Sequence, residues 1–286
     1  MNKKVAFLTT VFPMNTRYLY DFFNSLNKQT YTKFDVIVVN DGYVGFKELT
    51  EKFNALNIIE LQCSDSPAKN REFGINYVKN NNYDVLIFGD SDDYFDENRV
   101  QVSVELLTNI DIIVNDLTLF DDQQGPFLQK YISNRIHDGM EVKLDFIKDK
   151  NIFGLSNTAI NVTILGEFSF DRDLIAVDWY LYSILLLHNR KALFTNKTIT
   201  YYRQYENNTV GIGLRTIESI LKTIWIKENH YRLLKREDDC YISLYEDNCK
   251  LKKKIEDDPR LKELSDDVEN PLWWENMKFN EEGSSI

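Results

Sequence analysis

The chain has 286 residues, with 45 acidic and 34 basic side chains, so its formal net charge at pH 7 is −11. General nucleic-acid binding needs a basic face, so this balance argues against nucleic acid as a partner. Hydrophobic residues make up 43% of the chain, as in ordinary globular proteins. No apolar run approaches the roughly 18 residues of a membrane span. The length predicts one large domain or two smaller ones.

The three cysteines, Cys63, Cys240 and Cys249, are scattered and lack the spacing of metal ligands. An odd number of scattered cysteines is typical of free thiols in a reducing compartment. No signal peptide is visible after Met1, so we expect a cytoplasmic protein. Peripheral association with the inner face of a membrane stays open at this point.

Strand and helix patterns alternate through the first 115 residues. Strands are predicted at residues 5–8, 36–39, 58–61, 84–90 and 110–115, and the first, the second and the fourth of them are expected to be buried. Between them, helix N-caps are predicted at Thr16 and at Ser66, which Pro67 follows, and another helix is predicted to begin at Asp96. This alternation with short connections predicts an α/β fold with a largely parallel sheet.

The alternation weakens after about Leu119. The pattern predicts a turn at 121–126, a short helix at 142–147, a strand at 157–162, a buried helix at 178–188 and a strand at 198–205. From Ile217 onward the spacing is helical, and we expect this part to be an accessory extension without a catalytic group. Trp273 and Trp274 are expected to dock on the body of the protein, with a partner or a membrane interface as alternatives.

Three carboxylates follow the buried run Val85–Phe88 directly, after Gly89. They are Asp90, Asp92 and Asp93. Ligands of open α/β sheets bind beyond the carboxyl ends of the strands, which is where this cluster falls. Carboxylates this close repel one another unless a cation or a proton offsets them, and a divalent ion bound by oxygen is a natural partner. The plain alternative is a strand end followed by a solvated turn.

Asp41, Lys69 and Arg71 each have both a functional and a plain interpretation. Asp41 ends the second strand and could accept a hydrogen bond from a nucleobase, or could simply belong to the turn. Lys69 and Arg71 could neutralise a diphosphate, or lie on a solvated helix face. Asp178 precedes Trp179 at the start of a helix, and its plain interpretation is a helix cap. The helix N-terminus is expected to keep Asp178 ionised and weakly basic.

These segments together resemble the family 2 glycosyltransferases with a GT-A fold. The resemblance covers roughly residues 4–212, in order and spacing. It rests on the segments 7–10, 36–42, 70–75, 90–93, 170–174, 177–179, 202–205 and 207–209. It implies a GT-A-type, Rossmann-like, mostly parallel sheet flanked by helices. It also implies a domain at 1–213, with a nucleotide-binding half at about 1–117 and an acceptor half at about 118–213, and a helical C-terminal extension at 214–286.

The resemblance also implies roles for individual residues. Asp41 would read the nucleobase, Asp90 would lie against the ribose or the metal, and Asp92 would bind Mn²⁺ or Mg²⁺ at the diphosphate. Asp93 would contact the donor sugar or brace the loop, and Asp178 would be the catalytic base. Further donor contacts are implied for Thr9, Lys69, Asn70, Arg71 and Ser91, and acceptor-side positions for Ser156, Asn157, Trp179 and Arg203. Val177 replaces a usual Glu, and Tyr205 replaces a common His.

The sequence therefore predicts an inverting, metal-dependent glycosyltransferase of polysaccharide biosynthesis. Its donor would be a nucleotide-diphosphate sugar, expected to be a UDP-sugar, and its acceptor a hydroxyl of a glycan or a lipid-linked molecule. One alternative is a sugar-nucleotide nucleotidyltransferase, which would need a glycine-rich loop that residues 11–17 do not provide. The other is a non-catalytic module that binds a nucleotide sugar. The fold alone does not decide among these functions.

Overall fold

The computed structural model describes residues 3–205, 217–257 and 272–275, which form one ten-stranded sheet with helices on both faces. The strands are β1 (Val5–Val11), β2 (Asp35–Asn40), β3 (Asn57–Gln62), β4 (Val85–Phe88), β5 (Tyr94–Phe95), β6 (Ile112–Asp121), β7 (Gly125–Leu128), β8 (Glu141–Val142), β9 (Thr158–Asn161) and β10 (Ala192–Arg203). The helices are α1 (Thr16–Asn27), α2 (Phe46–Thr50), α3 (Pro67–Asn80), α4 (Arg99–Leu106), α5 (Leu144–Ile147), α6 (Val177–Leu187), α7 (Ile217–Leu234) and α8 (Ile242–Asp257).

The sheet joins a parallel half to a mixed half. Its order is β3-β2-β1-β4-β9-β6-β10-β5, with β7 paired to β6 and β8 paired to β10. The first four strands of that order are parallel, as the α/β prediction requires. Strand β9 runs antiparallel to both β4 and β6, while β6 and β10 are parallel to each other. Strand β9 therefore links the parallel half of the sheet to the mixed half through continuous hydrogen bonding.

Strand β4 is buried on both faces, as its continuous apolar sequence predicts. Successive side chains point to opposite faces, so Leu86 and Phe88 join one core cluster and Val85 and Ile87 join the other. One cluster packs under α3 and α6, and the other under α1 and α4. The strand end that carries the acidic cluster is thus held between two packed layers.

Two predicted helix starts need correction. Helix α4 begins at Arg99, not at Asp96, because Tyr94 and Phe95 pair with β10 and carry the chain past that point. The Asp96 carboxylate instead accepts a hydrogen bond from the backbone N–H of Ile199 at 2.9 Å. Helix α1 is capped by Asn15 and not by Thr16. The cap at Ser66 with Pro67 in the first turn is confirmed.

Helices α7 and α8 confirm the helical character predicted after Ile217. The division of the chain into domains at residue 213 stays a prediction. Helix α7 packs on α6, where the His230 ring stacks on Trp179 with ring centres 3.8 Å apart. Residues 272–275 also dock on the body, with Trp273 and Trp274 only 5% and 9% exposed. All three cysteines are free thiols, as expected. No helix within the described ranges is long and apolar enough to cross a membrane.

Gly89 tests how tightly the end of β4 is packed. A Cβ atom there would lie 2.5 Å from the Phe7 ring and 2.6 Å from the Phe95 ring. We expect Gly89→Ala to lower the free energy of unfolding by about 1–3 kcal/mol, as overpacking of a full core does. Urea denaturation measures the change. Gly166→Ala is the control because its Cβ would meet nothing within 4 Å. Equal stability of both variants would contradict this packing.

Candidate active site

The acid loop, residues 90–93, lies at the carboxyl end of β4 and is tied to the end of β1. The backbone N–H of Gly89 donates to the Leu8 carbonyl at 3.1 Å. The Ser91 hydroxyl donates to the Thr10 carbonyl at 2.8 Å. Asp90 and Asp92 are half-buried, whereas Asp93 is fully buried. Two of the three carboxylates of the loop are therefore partly exposed to solvent.

Asp93 braces the acid loop. The Ser156 hydroxyl donates to one of its carboxylate oxygens, and the backbone N–H of Arg203 donates to the other at 2.8 Å. The Ser156 hydroxyl also accepts a hydrogen bond from the Asp90 N–H at 3.3 Å. Ser156 precedes β9 and Arg203 ends β10, so strands of the second half hold a loop that the first half provides. Of the two roles that the resemblance implied for Asp93, this geometry supports bracing.

Arg203 is the cation behind the loop, with its side chain only 1% exposed. Its guanidinium forms ion pairs with Asp21 of α1, at 2.7 Å, and with Asp122 after β6. Its Nε donates to the backbone carbonyl of Asp92 at 2.7 Å. The guanidinium also lies over the Tyr18 ring, 4.3 Å from its centre. Arg203 therefore fixes the position of the loop, while its charge is directed to carboxylates outside the loop.

Asp90 and Asp92 remain incompletely neutralised. The Tyr205 hydroxyl donates to Asp92 at 2.8 Å, and the Arg71 guanidinium lies 3.7 Å from Asp90. Burial raises the pKa of Asp90 to about 6. The positive charge of Arg71 lowers this pKa, and the negative charge of Asp92 raises it. Burial also raises the pKa of Asp92. The pKa of Asp93 lies well above its usual range because of burial and of the charges of Asp92 and Asp90. Desolvated negative charge thus accumulates at this strand end.

The residues present fit a divalent cation whose coordination a bound substrate would complete. No three His, Cys, Asp or Glu side chains in the described part of the chain converge on one point. Mg²⁺, however, is usually bound through one or two carboxylates together with substrate phosphates. Asp90 and Asp92 are two half-buried carboxylates at the end of β4, and burial raises the pKa values of both. A cation with a diphosphate would supply the missing ligands and the missing charge.

The predicted donor-side residues are only partly brought together. Asp41 accepts a hydrogen bond from the Asn70 side-chain amide at 2.8 Å, so these two form one unit beside Arg71. Lys69 turns away to Glu72, at 2.9 Å, and to a serine of the acceptor half. Thr9 is buried in β1, and its hydroxyl has no hydrogen-bond partner among the residues that the structure describes. Arg71 is therefore the predicted cation that reaches the acid loop.

Asp178 lies in the first turn of α6, but it is not the helix cap, which is Ala176. One of its carboxylate oxygens accepts the N–H of Trp179 at 2.7 Å. Burial raises its pKa to about 7, against the hydrogen bond from Trp179 and the charge of Arg71. The expectation of a weakly basic carboxylate is therefore wrong, because desolvation outweighs the helix N-terminus. The charges of Arg71 and Asp90 also affect the pKa of Asp178, the first lowering it and the second raising it.

The predicted acceptor-side residues are mostly structural. Asn157 binds the backbone of Asn115, Ile152 and Gly154. Trp179 lies in the core, and its indole N–H donates to the Ile147 carbonyl at 2.7 Å. The segment 207–209 of the resemblance lies outside the described residues.

Sequence reasoning missed Tyr202, Asp21 and Asp122. Burial raises the pKa of Tyr202 well above its usual range, and the carboxylates of the acid loop and Asp178 raise it further. The Tyr202 phenol is therefore within electrostatic reach of these carboxylates. Asp21 and Asp122 are the ion-pair partners of Arg203. No local pattern marks these carboxylates, because one is a polar position of an amphipathic helix and the other belongs to an ordinary turn.

Comparison with known proteins decides the family. The model of the family described as glycosyl transferase family 2 matches residues 14–175, more than half of the chain. The chain belongs to glycosyl transferase family 2. The match includes the acid loop, Asp41 and Arg71, and it ends just before Asp178.

Individual relatives are distant. The glycosyltransferase GlyA of Streptococcus pneumoniae serotype 4 is 23% identical over 219 residues, which cover 71% of this chain and 31% of that protein. The chain thus spans about a third of that curated relative. Residues 1–349 of S. aureus TarS, solved with UDP-GlcNAc, match with a TM-score of 0.61 at 18% identity, covering 86% of this chain and 72% of that one. GalNAc-T7, solved with UDP, GalNAc and Mn²⁺, matches with a TM-score of 0.60 at 14% identity, covering 89% and 55%. These likenesses confirm the GT-A-type fold.

Arg203→Gln tests whether the buried guanidinium holds the site together. Removing it leaves Asp21 and Asp122 close together without a cation. We expect a loss of about 2–3 kcal/mol in the free energy of unfolding, below the 3–5 kcal/mol of a fully buried pair because Asp21 is half-exposed. The matched control is Arg172→Gln, which breaks an exposed pair with Asp65 and should cost less than about 1 kcal/mol. Similar losses in both variants would refute the special role of Arg203.

Proposed function

We propose that this chain is an inverting, metal-dependent glycosyltransferase. It would transfer a sugar from a nucleotide-diphosphate donor to a hydroxyl of a glycan or a lipid-linked acceptor. The observation that carries the proposal is the Arg71–Asp90 ion pair at the end of β4, whose two charges both affect the pKa of Asp178. Asp90 and Asp92 would offer a site for cationic charge, and Asp178 would be a carboxylate with raised basicity. Membership of the family supports the same chemistry.

The donor would bind across the carboxyl ends of β1, β2 and β4. Asp41, held by Asn70, is available to accept an N–H from the nucleobase. Arg71 would contact the diphosphate, and Asp90 and Asp92 would hold the divalent ion, Mn²⁺ or Mg²⁺. We propose UDP as the nucleotide because TarS has been solved with UDP-GlcNAc and GalNAc-T7 with UDP and Mn²⁺. When bound, the cation would act as a Lewis acid that stabilises the charge of the leaving diphosphate.

Transfer would be a single displacement. The acceptor oxygen forms a bond to the anomeric carbon as the bond from that carbon to the diphosphate oxygen breaks, and the bonding electrons leave with the diphosphate. The acceptor proton passes to Asp178, whose Oδ1 already accepts the N–H of Trp179, so that Oδ2 is the oxygen available to the proton. Attack from the face opposite the leaving group inverts the anomeric centre. A base with a pKa of about 7 suits proton abstraction near neutral pH.

The location in the cell is part of the same proposal. The three free cysteines support a cytoplasmic location, where thiols stay reduced. A lipid-linked acceptor would bring the protein to the inner face of the membrane as a peripheral protein. A glycan acceptor would not require that contact.

Asp92→Asn tests the metal site. We expect the variant to bind UDP in the presence of Mn²⁺ at least about tenfold more weakly than the parent, because a carboxylate ligand is lost. Isothermal titration calorimetry with and without a chelator measures both proteins. Asp173→Asn removes an exposed carboxylate and serves as the control. Unchanged affinity of Asp92→Asn, or affinity of the parent that a chelator does not alter, would overturn the role of the metal.

Asp178→Asn tests the general base. The substitution keeps the shape of the side chain but removes its ability to take a proton. We therefore expect kcat to fall by about 10²-fold or more while UDP affinity stays close to that of the parent. Asp173→Asn again serves as the control. Turnover of Asp178→Asn at the parent rate would assign the base elsewhere.

The pH dependence of the parent gives an independent check. Asp178 must be ionised to act as a base, and burial raises its pKa to about 7. We expect kcat/KM, which reports the free enzyme, to fall about tenfold per pH unit below pH 7 and to level off above it. The residual activity of Asp178→Asn should not show this decrease below pH 7. An apparent pKa near 4 in the parent would contradict the environment described for Asp178.

A further inference from the structure

A short C-terminal segment, here called the strap (residues 272–275), is anchored on the acceptor half. The carbonyl of Trp273 accepts the N–H of Asn151 at 2.6 Å, and these two residues form an isolated antiparallel bridge. The Glu275 carboxylate accepts two hydrogen bonds from the Arg135 guanidinium, at 3.1 and 2.7 Å, and another from the N–H of Leu272 at 3.0 Å. The strap is therefore held at Trp273 and at Glu275.

The Trp273 side chain is packed against two residues beside the site. A Cβ on Gly154 would lie 2.9 Å from its ring, so the indole approaches that backbone as only a glycine allows. On another side the ring contacts Tyr202, with ring centres 5.4 Å apart, and Tyr131 at 5.9 Å. The indole N–H is buried without a hydrogen-bond partner among the described residues. Trp273 therefore acts through the packing of its ring.

Two of the three ring neighbours, Gly154 and Tyr202, belong to the segments that hold Asp93. Gly154 lies in a tight turn with Asn157, whose Oδ1 accepts the Gly154 N–H at 2.7 Å, and this turn carries Ser156. Tyr202 is the residue before Arg203. Ser156 and the Arg203 backbone N–H are the two groups that hold the Asp93 carboxylate. The ring thus packs behind both supports of the acid loop.

We propose that Trp273 is a positioning residue that holds the 154–157 turn and Tyr202 in place, and through them the acid loop. The strap would thereby complete the active site without contributing a group to the chemistry. The catalytic meaning of this inference rests on the proposed function, whereas the mechanical coupling does not. Trp273 contacts Gly154 and Tyr202, and each of these lies within two residues of a support of Asp93.

Hydrogen exchange followed by mass spectrometry tests the coupling without any ligand. The amides to follow are those of Asp90, which donates to Ser156, of Asp93, which donates to the Asp90 carbonyl, and of Gly154. We expect Trp273→Ala to speed exchange in peptides that cover residues 89–93 and 154–157 by at least about tenfold. Trp273→Phe should restore most of the protection, because the ring loses no hydrogen bond. Trp225→Ala, at a 43% exposed tryptophan of α7, is the matched control.

Two outcomes would overturn the inference. In the first, Trp273→Ala speeds exchange of the strap but leaves the acid loop at parent rates. In the second, it speeds exchange everywhere in the core by the same factor, as general destabilisation would. If Trp273→Ala does not fold, Glu275→Gln, which weakens the anchor on Arg135, and Gly154→Ala, which pushes against the ring, are judged by the same criteria.

Titration with UDP and Mn²⁺ links the coupling to function. We expect Trp273→Ala to bind UDP at least about tenfold more weakly than the parent and than Trp225→Ala. Failure of the parent itself to bind UDP would count against the proposed function and would leave the exchange result standing. Equal UDP affinity in parent and Trp273→Ala would show that the strap does not position the acid loop for the donor.

Discussion

The arrangement of the candidate site depends on three carboxylates at the end of one buried strand. Asp90, Asp92 and Asp93 follow β4 with one serine among them, and their mutual repulsion is strengthened by burial. The hydrogen bonds and ion pairs that the fold provides offset their negative charges unequally. Asp93 receives two hydrogen bonds and is closed off from solvent, whereas the half-buried Asp90 has a loose ion pair with Arg71. The charge of Asp90 is therefore less fully compensated, and a cation with a diphosphate would offset it.

The supports of the loop come from the opposite half of the sheet. Strand β9 enters antiparallel between β4 and β6 and brings Ser156 to the acid loop, while β10 delivers Arg203. Arg203 then joins α1, through Asp21, to the turn after β6, through Asp122. A buried ion pair of this kind adds little net stability but costs much when one partner is removed. Its value lies in fixing the two halves in one relative position at the site.

Much of this arrangement could be predicted from the sequence, because it depends on local pattern. The apolar run of β4, the carboxylates after it and the cap at Ser66 with Pro67 each leave a signal within a few residues. The family resemblance placed Asp178 at the site. Contacts between distant segments leave no such signal. Asp21 is one polar position on α1, and its partner Arg203 lies 182 residues further along the chain.

The basicity of Asp178 could not be predicted for a related reason. A helix N-terminus lowers a carboxylate pKa, and this was the only influence visible in the sequence. Burial by the tertiary structure acts in the opposite direction and is the larger effect. The position of Trp273 likewise depends on a glycine more than a hundred residues earlier, Gly154, which has no side chain to obstruct the ring.

The central claim is that the acid loop binds a cation together with a nucleotide diphosphate. Crystals grown with UDP and Mn²⁺ test it directly, because anomalous scattering locates manganese independently of the rest of the structure. The account predicts one strong anomalous peak within bonding distance of an Asp92 carboxylate oxygen and of the diphosphate. A bound diphosphate with no anomalous peak at Asp90 or Asp92, or a peak only at another site, would contradict it.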